Sequence, residues 1–263
     1  MKKLHFTYDM QIEYSVLVSR CNFTIKCFPK DNLRQKIEGV QIRLSPPARY
    51  SWGCDGLKNT QIYGVNEQPH RTFLFHIEGN AVTGLSDAEE ERDDDLDMIY
   101  RQPHGLNVAG EKLLSYYESI KPREELSDYE KATEIMHRLH RDFSYQPCTT
   151  NVDTSAEEAF SLGHGVCQDY AHIFIALLHL CKIPARYVTG LIIGEGASHA
   201  WVEILCGGKW YGLDPTNDTF VECDHIKIGV GRDAKDCMIN RGIMHGGGLH
   251  VQTIHVTVTE TQQ

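Results

Sequence analysis

The sequence predicts an α+β protein: an N-terminal antiparallel β-sandwich, then a core in which one helix packs on a second antiparallel sheet. Three observations carry this expectation. Residues 3–82 alternate apolar and polar positions with period two between turn residues. After an acidic run at 87–97 the apolar period becomes helical. An apolar helical stretch ending at Leu180 is followed by three strand-like segments joined by glycine turns. With 263 residues, 41% of them hydrophobic, the chain can support one large domain or two modest ones. The expected divisions are a β-sandwich at 1–86, an acidic linker at 87–107 and a helix-on-sheet domain at 108–263.

In the first part, period-two stretches at Gln11 to Leu17, Val40 to Leu44 and Thr72 to Ile77 stand between breakers at Pro29, Pro46-Pro47, Gly53, Gly56 and Gly79-Asn80. Short strands with regular turn signals suggest a small sandwich. No reactive residues converge there. The acidic run then reads as a solvated linker. Its Asp93-x-Asp95-x-Asp97 spacing matches the opening of a calcium loop, but the sixth position is Met98 instead of Gly and the twelfth His104 instead of Glu. Helices follow at Ala109 to Ile120 and Asp128 to Phe143, the second opened by Ser127 with Glu130 three residues on, as in a capping box. A third is expected at Ser155 to Leu162, broken by Gly163-His164-Gly165.

Cys167 then starts the helix that runs through Leu180 and ends at Cys181-Lys182-Ile183-Pro184. At a helix N-terminus the unpaired N–H groups and the positive end of the dipole favour thiolate over thiol, and the same groups can hold a developing oxyanion. Strands are expected at Arg186 to Ile193, His199 to Leu205 and Lys209 to Leu213, with turns at Gly194-Glu195-Gly196 and Gly207-Gly208. In an up-and-down hairpin the start of one strand lies beside the end of the next, which sets His199 against Asp214. Nucleophile, base and carboxylate are the parts of thiol catalysis, and the order Cys, His, acid is that of papain-like enzymes.

Four ordered words surround these residues: Gly165-Val166-Cys167-Gln168-Asp169-Tyr170-Ala171, Ile183-Pro184-Ala185-Arg186-Tyr187-Val188, Ser198-His199-Ala200-Trp201-Val202-Glu203 and Asp214-Pro215-Thr216-Asn217. They resemble the bacterial transglutaminase-like family, closely over Thr154 to Asn217 and more loosely into Gly229 to Asp233, Arg241 to Ile243 and Gly246 to Gly248. Members of that family carry an N-terminal β-domain. The resemblance implies a papain-like, transglutaminase-like core with Cys167 as acylated nucleophile, His199 as base and then acid, and Asp214 as the carboxylate that orients it. It also implies acyl transfer from an amide, the substrate being a peptide or protein. Hydrolysis, as a peptidase or amidase, is the leading reading; amine transfer to cross-link proteins and a binding module that has lost turnover are the alternatives on this fold.

Other residues have plainer readings. Trp201 and Trp210 suit either a substrate groove or core packing, and His164 suits the cleft wall. Asp214 before Pro215 also suits a simple turn. His172 lies five residues along the helix from Cys167, far round from its face, and Asp169 sits in the first turn, where an acid complements the dipole. Gly246-Gly247-Gly248 leads into the alternating run His250 to Val258 and reads as a hairpin turn, not a phosphate loop.

A formal net charge of −10 argues against a nucleic-acid footprint. No apolar leader follows Met1 and no run reaches transmembrane length, so the expected location is the cytosol with no membrane role. The nine cysteines, at 21, 27, 54, 148, 167, 181, 206, 223 and 237, include no Cys-x-x-Cys pair; reduced, mostly buried thiols are expected. His-Glu-x-x-His is absent as well. Animal transglutaminases use calcium, but no loop here commits the chain to it, and neither metal nor cofactor is expected.

Overall fold

The computed structural model describes residues 1–85 and 97–261. Five strands open the chain: β1 (Lys2–Ile25), β2 (Gln35–Ser45), β3 (Arg49–Cys54), β4 (Thr60–Asn66) and β5 (His70–Thr83). The middle holds α1 (Glu111–Ile120), α2 (Asp128–Asp142), β6 (Ser144–Tyr145), α3 (Ala156–Leu162), β7 (His164–Gly165) and α4 (Cys167–Leu180). The remainder is β8 (Ala185–Ile192), β9 (Gly194–Gly196), β10 (His199–Cys206), β11 (Lys209–Asp214), β12 (Thr219–Phe220), β13 (His225–Gly231), β14 (Asn240–Gly246) and β15 (His250–Glu260). The α+β class is as expected, and no described helix is long and apolar enough to cross a membrane.

The first sheet has eight strands organised on β1. Alternate residues Leu4, Phe6, Tyr8, Met10, Ile12 and Tyr14 are buried, so this arm has one core face. The burial then changes phase: Cys21, Phe23 and Ile25 point inward beyond a register shift between Val18 and Arg20. One extra residue turns the other face of the strand to the core. The first arm pairs with β5 and β15, the second with β4 and β14. Phe23 on one arm meets Phe73 of β5 at 5.1 Å between ring centroids. The two-layered β unit is thus one folded sheet.

The expected division at residue 108 does not follow the sheets. β14 and β15 belong to the first sheet, with Leu4 opposite Glu260 and Thr24 opposite Arg241. Gly246-Gly247-Gly248 is not a hairpin turn between them: it carries the chain from one arm of β1 to the other, all three residues at positive φ, and a Cβ at Gly246 would meet the Leu17 carbonyl at 2.1 Å. The expected turn at Gly194 to Gly196 is itself strand β9, paired with Val256 to Val258. Most of the acidic run, with the Asp93 and Asp95 positions, lies outside the described residues. The end of the expected linker is packed, Tyr100 being buried against Trp210 at 5.6 Å.

The second sheet runs β12-β11-β10-β8-β13, all antiparallel. On one face lies α4, whose residues from Asp169 to Leu178 are all buried; a helix apolar all round has to be central. From the other face Leu191, Ile226 and Ile228 enter the core of the first sheet. Helix α2 begins with the expected capping box, the Ser127 N–H donating to Glu130 at 2.8 Å. The cysteines are less buried than expected: all are free thiols, but only Cys21, Cys27 and Cys237 are buried, while Cys54 and Cys148 are exposed.

Candidate active site

Gly163, at φ 77°, ends α3 in the left-handed conformation, and α4 starts four residues later at Cys167. What sets the start is Asp169. Its Oδ2 accepts the Val166 N–H at 2.7 Å and the Thr150 hydroxyl at 2.7 Å, so the carboxylate folds back over the first turn. A Cβ at Gly165 would meet that oxygen at 2.5 Å, so only glycine leaves it room. Asp169 is fully buried, and burial raises its pKa. It builds the turn that presents the half-buried thiol of Cys167.

His199 opens β10 and Asp214 closes β11, one residue beyond the pair Val202 and Leu213 in register terms that bring their ends together. His199 Nε2 donates to Asp214 Oδ2 at 2.7 Å. Cys167 lies close enough to act on the ring, and with Nε2 engaged, Nδ1 is the atom left to face the sulfur. The three expected residues therefore meet. Burial of the His199 ring opposes its charge, but Asp214 and Cys167 outweigh it and raise the pKa to about 10.

Asp214 is fully buried, which alone would favour its neutral form; His199, then His225 and Asn217, hold it well below the usual carboxylate range. Its oxygens divide the work. Oδ1 accepts the N–H groups of Thr216 at 3.0 Å and Asn217 at 3.3 Å, an Asx turn of the kind an Asp-Pro step favours. Oδ2 accepts from His199, from Asn217 Nδ2 at 2.7 Å and from His225 Nε2 at 3.4 Å. The turn contacts and the contact with His199 coexist on one side chain.

The expected substrate contacts fare differently. Trp201 is 1% exposed and packs edge-on to His225 at 5.2 Å, so it presents almost no surface to a substrate. The indole needs this place because Gly190 leaves it room: a Cβ there would lie 2.2 Å from the ring. Trp210 is likewise buried, beneath the Arg186 guanidinium at 4.1 Å. His164 is half-buried in β7, three residues before Cys167. His172 accepts the Ala234 N–H at 3.1 Å, and burial lowers its pKa to about 4.

Two residues at the site had not been picked from the sequence. Tyr145 is 55% exposed, and burial followed by the nearby Cys167 raises its pKa, so it stands at the mouth of the site. Its neighbours gave no signal; the placement comes from the parallel pairing of Tyr145 with Gly165. His225 was detectable: like His199 it is a lone histidine opening a strand-like run. Among the described residues, His199, Asp214 and His225 are the group whose ligand atoms lie within 4.8 Å of one another. A metal there would displace the hydrogen bonds that link the two imidazoles to the acid, and we assign none.

Two family descriptions match the chain: the transglutaminase-like superfamily over residues 119–215 and the bacterial transglutaminase-like N-terminal region over residues 4–82. An uncharacterized protein of Mycobacterium leprae is 39% identical over 125 residues, which is 44% of this chain and 44% of that one. The chain thus spans less than half of that relative's length. An uncharacterized protein of Mycobacterium tuberculosis is 26% identical over 288 residues, covering 91% of this chain and 86% of the other. The crystal structure of a candidate cysteine protease from Cytophaga hutchinsonii superposes with a TM-score of 0.80 at 21% identity, covering 100% of this chain and 91% of that one, and so shares its fold.

Proposed function

Because the chain belongs to the transglutaminase-like superfamily, we propose that it is a thiol peptidase or amidase, cleaving amide bonds of peptides or proteins through a thioester on Cys167. The observation that carries this is the continuous contact from Cys167 through His199 to a buried, ionised Asp214.

The steps follow from the groups present. His199 Nδ1 holds the proton that Cys167 has given up, and the sulfur attacks the amide carbon. The oxygen of the tetrahedral adduct lies within reach of the first turn of α4, where N–H groups have no intrahelical acceptor. Collapse breaks the C–N bond as His199 returns its proton to the leaving nitrogen. Water, deprotonated by the same imidazole, then attacks the thioester and releases the acid and Cys167. Throughout, Asp214 holds Nε2 and balances the imidazolium.

The test uses iodoacetamide and an amide substrate panel. Cys167 is expected to alkylate far faster than the other eight thiols at neutral pH, and casein or peptide amides to release new amino termini or ammonia, both activities vanishing in Cys167→Ala. Uniform slow labelling would overturn the proposal. Incorporation of a labelled primary amine without hydrolytic release would reassign the acceptor from water to amine.

A further inference from the structure

We infer that His225 is a positioning residue of this site, a second imidazole that shares the Asp214 carboxylate with His199 and is held in register by the first sheet; the inference rests on the triad reading above. His225 and His199 approach the same oxygen, Asp214 Oδ2, at 3.4 and 2.7 Å, with ring centroids 6.2 Å apart. An ionised carboxylate only accepts, so Nε2 of His225 carries the proton. The ring is 93% buried by its 7% exposure, and Trp201 wedges against both imidazoles, at 5.2 Å from His225 and 6.3 Å from His199.

The strand that carries His225 is pinned from an unexpected side. Among the described residues β13 is an edge strand of the second sheet, paired with β8 alone. An edge leaves backbone donors and acceptors facing outward. Here two amide side chains of the first sheet and its loops pair with them as a neighbouring strand would. Gln35 accepts the Lys227 N–H and donates to the Lys227 carbonyl, both at 2.8 Å. Asn59 does the same at Val230, again with both contacts at 2.8 Å. Both amides are nearly fully buried. A shift in register between Lys227 and Gly229 turns these two positions, three apart, to the same edge. Gln35 and Thr83 also line a cavity of about 20 Å³ against His225 and Trp201, so the first sheet backs these two rings.

Sharing has a consequence for His199. Each extra donor on Asp214 disperses its charge and weakens its hold on the His199 proton. His225 therefore tempers the imidazolium while fixing the plane of the carboxylate.

The experiment is the pH profile of Cys167 alkylation by iodoacetamide in the full chain, which needs no knowledge of the substrate. His225→Leu is expected to move the alkaline step, where His199 gives up its proton, to higher pH by about 0.5–1. His225→Gln, which keeps an N–H at similar reach, returns the step to the wild-type position. A merely structural role would reduce the folded fraction and leave the step in place, so a wild-type step in His225→Leu overturns the inference. Nitrogen-15 shifts of the unmodified protein provide a check that needs no variant: His225 protonated on Nε2 supports it, and the Nδ1–H tautomer overturns it. Wild-type protein without selective Cys167 alkylation would overturn the triad reading itself, a distinct failure.

Discussion

Asp214→Asn removes the charge that His199 faces while nearly preserving shape. The His199 pKa stands at about 10 against an ordinary 6.5, a rise equivalent to about 5 kcal/mol of preference for the charged ring. Burial opposes that rise, so Asp214 and Cys167 supply more than all of it. At pH 7.5 nearly every molecule carries a charged imidazole. With Asp214 neutral, burial is opposed by Cys167 alone, so the pKa falls back toward the ordinary 6.5 and a much smaller share of the molecules stays charged. Alkylation of Cys167 at pH 7.5, followed by mass spectrometry of its peptide, should drop severalfold, up to about tenfold where the pKa reaches 6.5. The alkaline step should move from near pH 10 toward neutrality. A step that stays near pH 10 in Asp214→Asn, with the fold intact by circular dichroism, would refute the argument that this carboxylate sets the imidazole's charge.

Gly165→Ala should displace the Asp169 carboxylate, 2.5 Å from the new Cβ, freeing the Val166 N–H and Thr150 hydroxyl; the cost is about 1–3 kcal/mol, read by denaturant titration, with slower Cys167 alkylation. His172 has a folded pKa of about 4 against 6.5 unfolded, so between these values the unfolded chain binds a proton that the folded one refuses. Its contribution is complete above pH 6.5 and is lost on acidification toward pH 4, by about 3 kcal/mol; His172→Gln should flatten that part of the stability profile. Gln35→Leu takes partners from the Lys227 N–H and carbonyl and should cost about 2–4 kcal/mol in urea unfolding. A chain of residues 108–263 alone, stripped of β1, should fail to give a folded monomer by size exclusion and circular dichroism, because β14 and β15 lose their partner.

The meeting of Cys167, His199 and Asp214 was legible because each sits at the end of a local element, and element ends are written in nearby residues: Gly163 and Gly165 before Cys167, Gly207-Gly208 between β10 and β11, Pro215 after Asp214. Helix α2 was legible for the same reason, its capping box lying within four residues. What could not be read was partnership. A period-two pattern says that a strand has one buried face and says nothing of which strand lies beside it. Hence β14 and β15 were assigned to the second unit, although they pair with β1 more than two hundred residues away. Burial of an aromatic is equally non-local: Trp201 reads the same in a groove wall or a core until Gly190 and His225 are found against it.

The two sides of the His199–Asp214 pair are therefore unlike, and that difference bears on substrate approach. Behind the pair, Trp201 and His225 are buried and the first sheet seals the edge strand with Gln35 and Asn59. That side offers no entry to the pair. On the Cys167 side, Tyr145 is exposed at the mouth, and the following turn carries Thr150, whose hydroxyl holds Asp169. The segment after β6 thus touches the helix start that presents the thiol while facing solvent. On the proposed peptidase or amidase reading, recognition of the acyl group falls to this side, so substitutions at Tyr145 should alter selection among substrates, whereas changes at Trp201 should alter the acid–base pair itself.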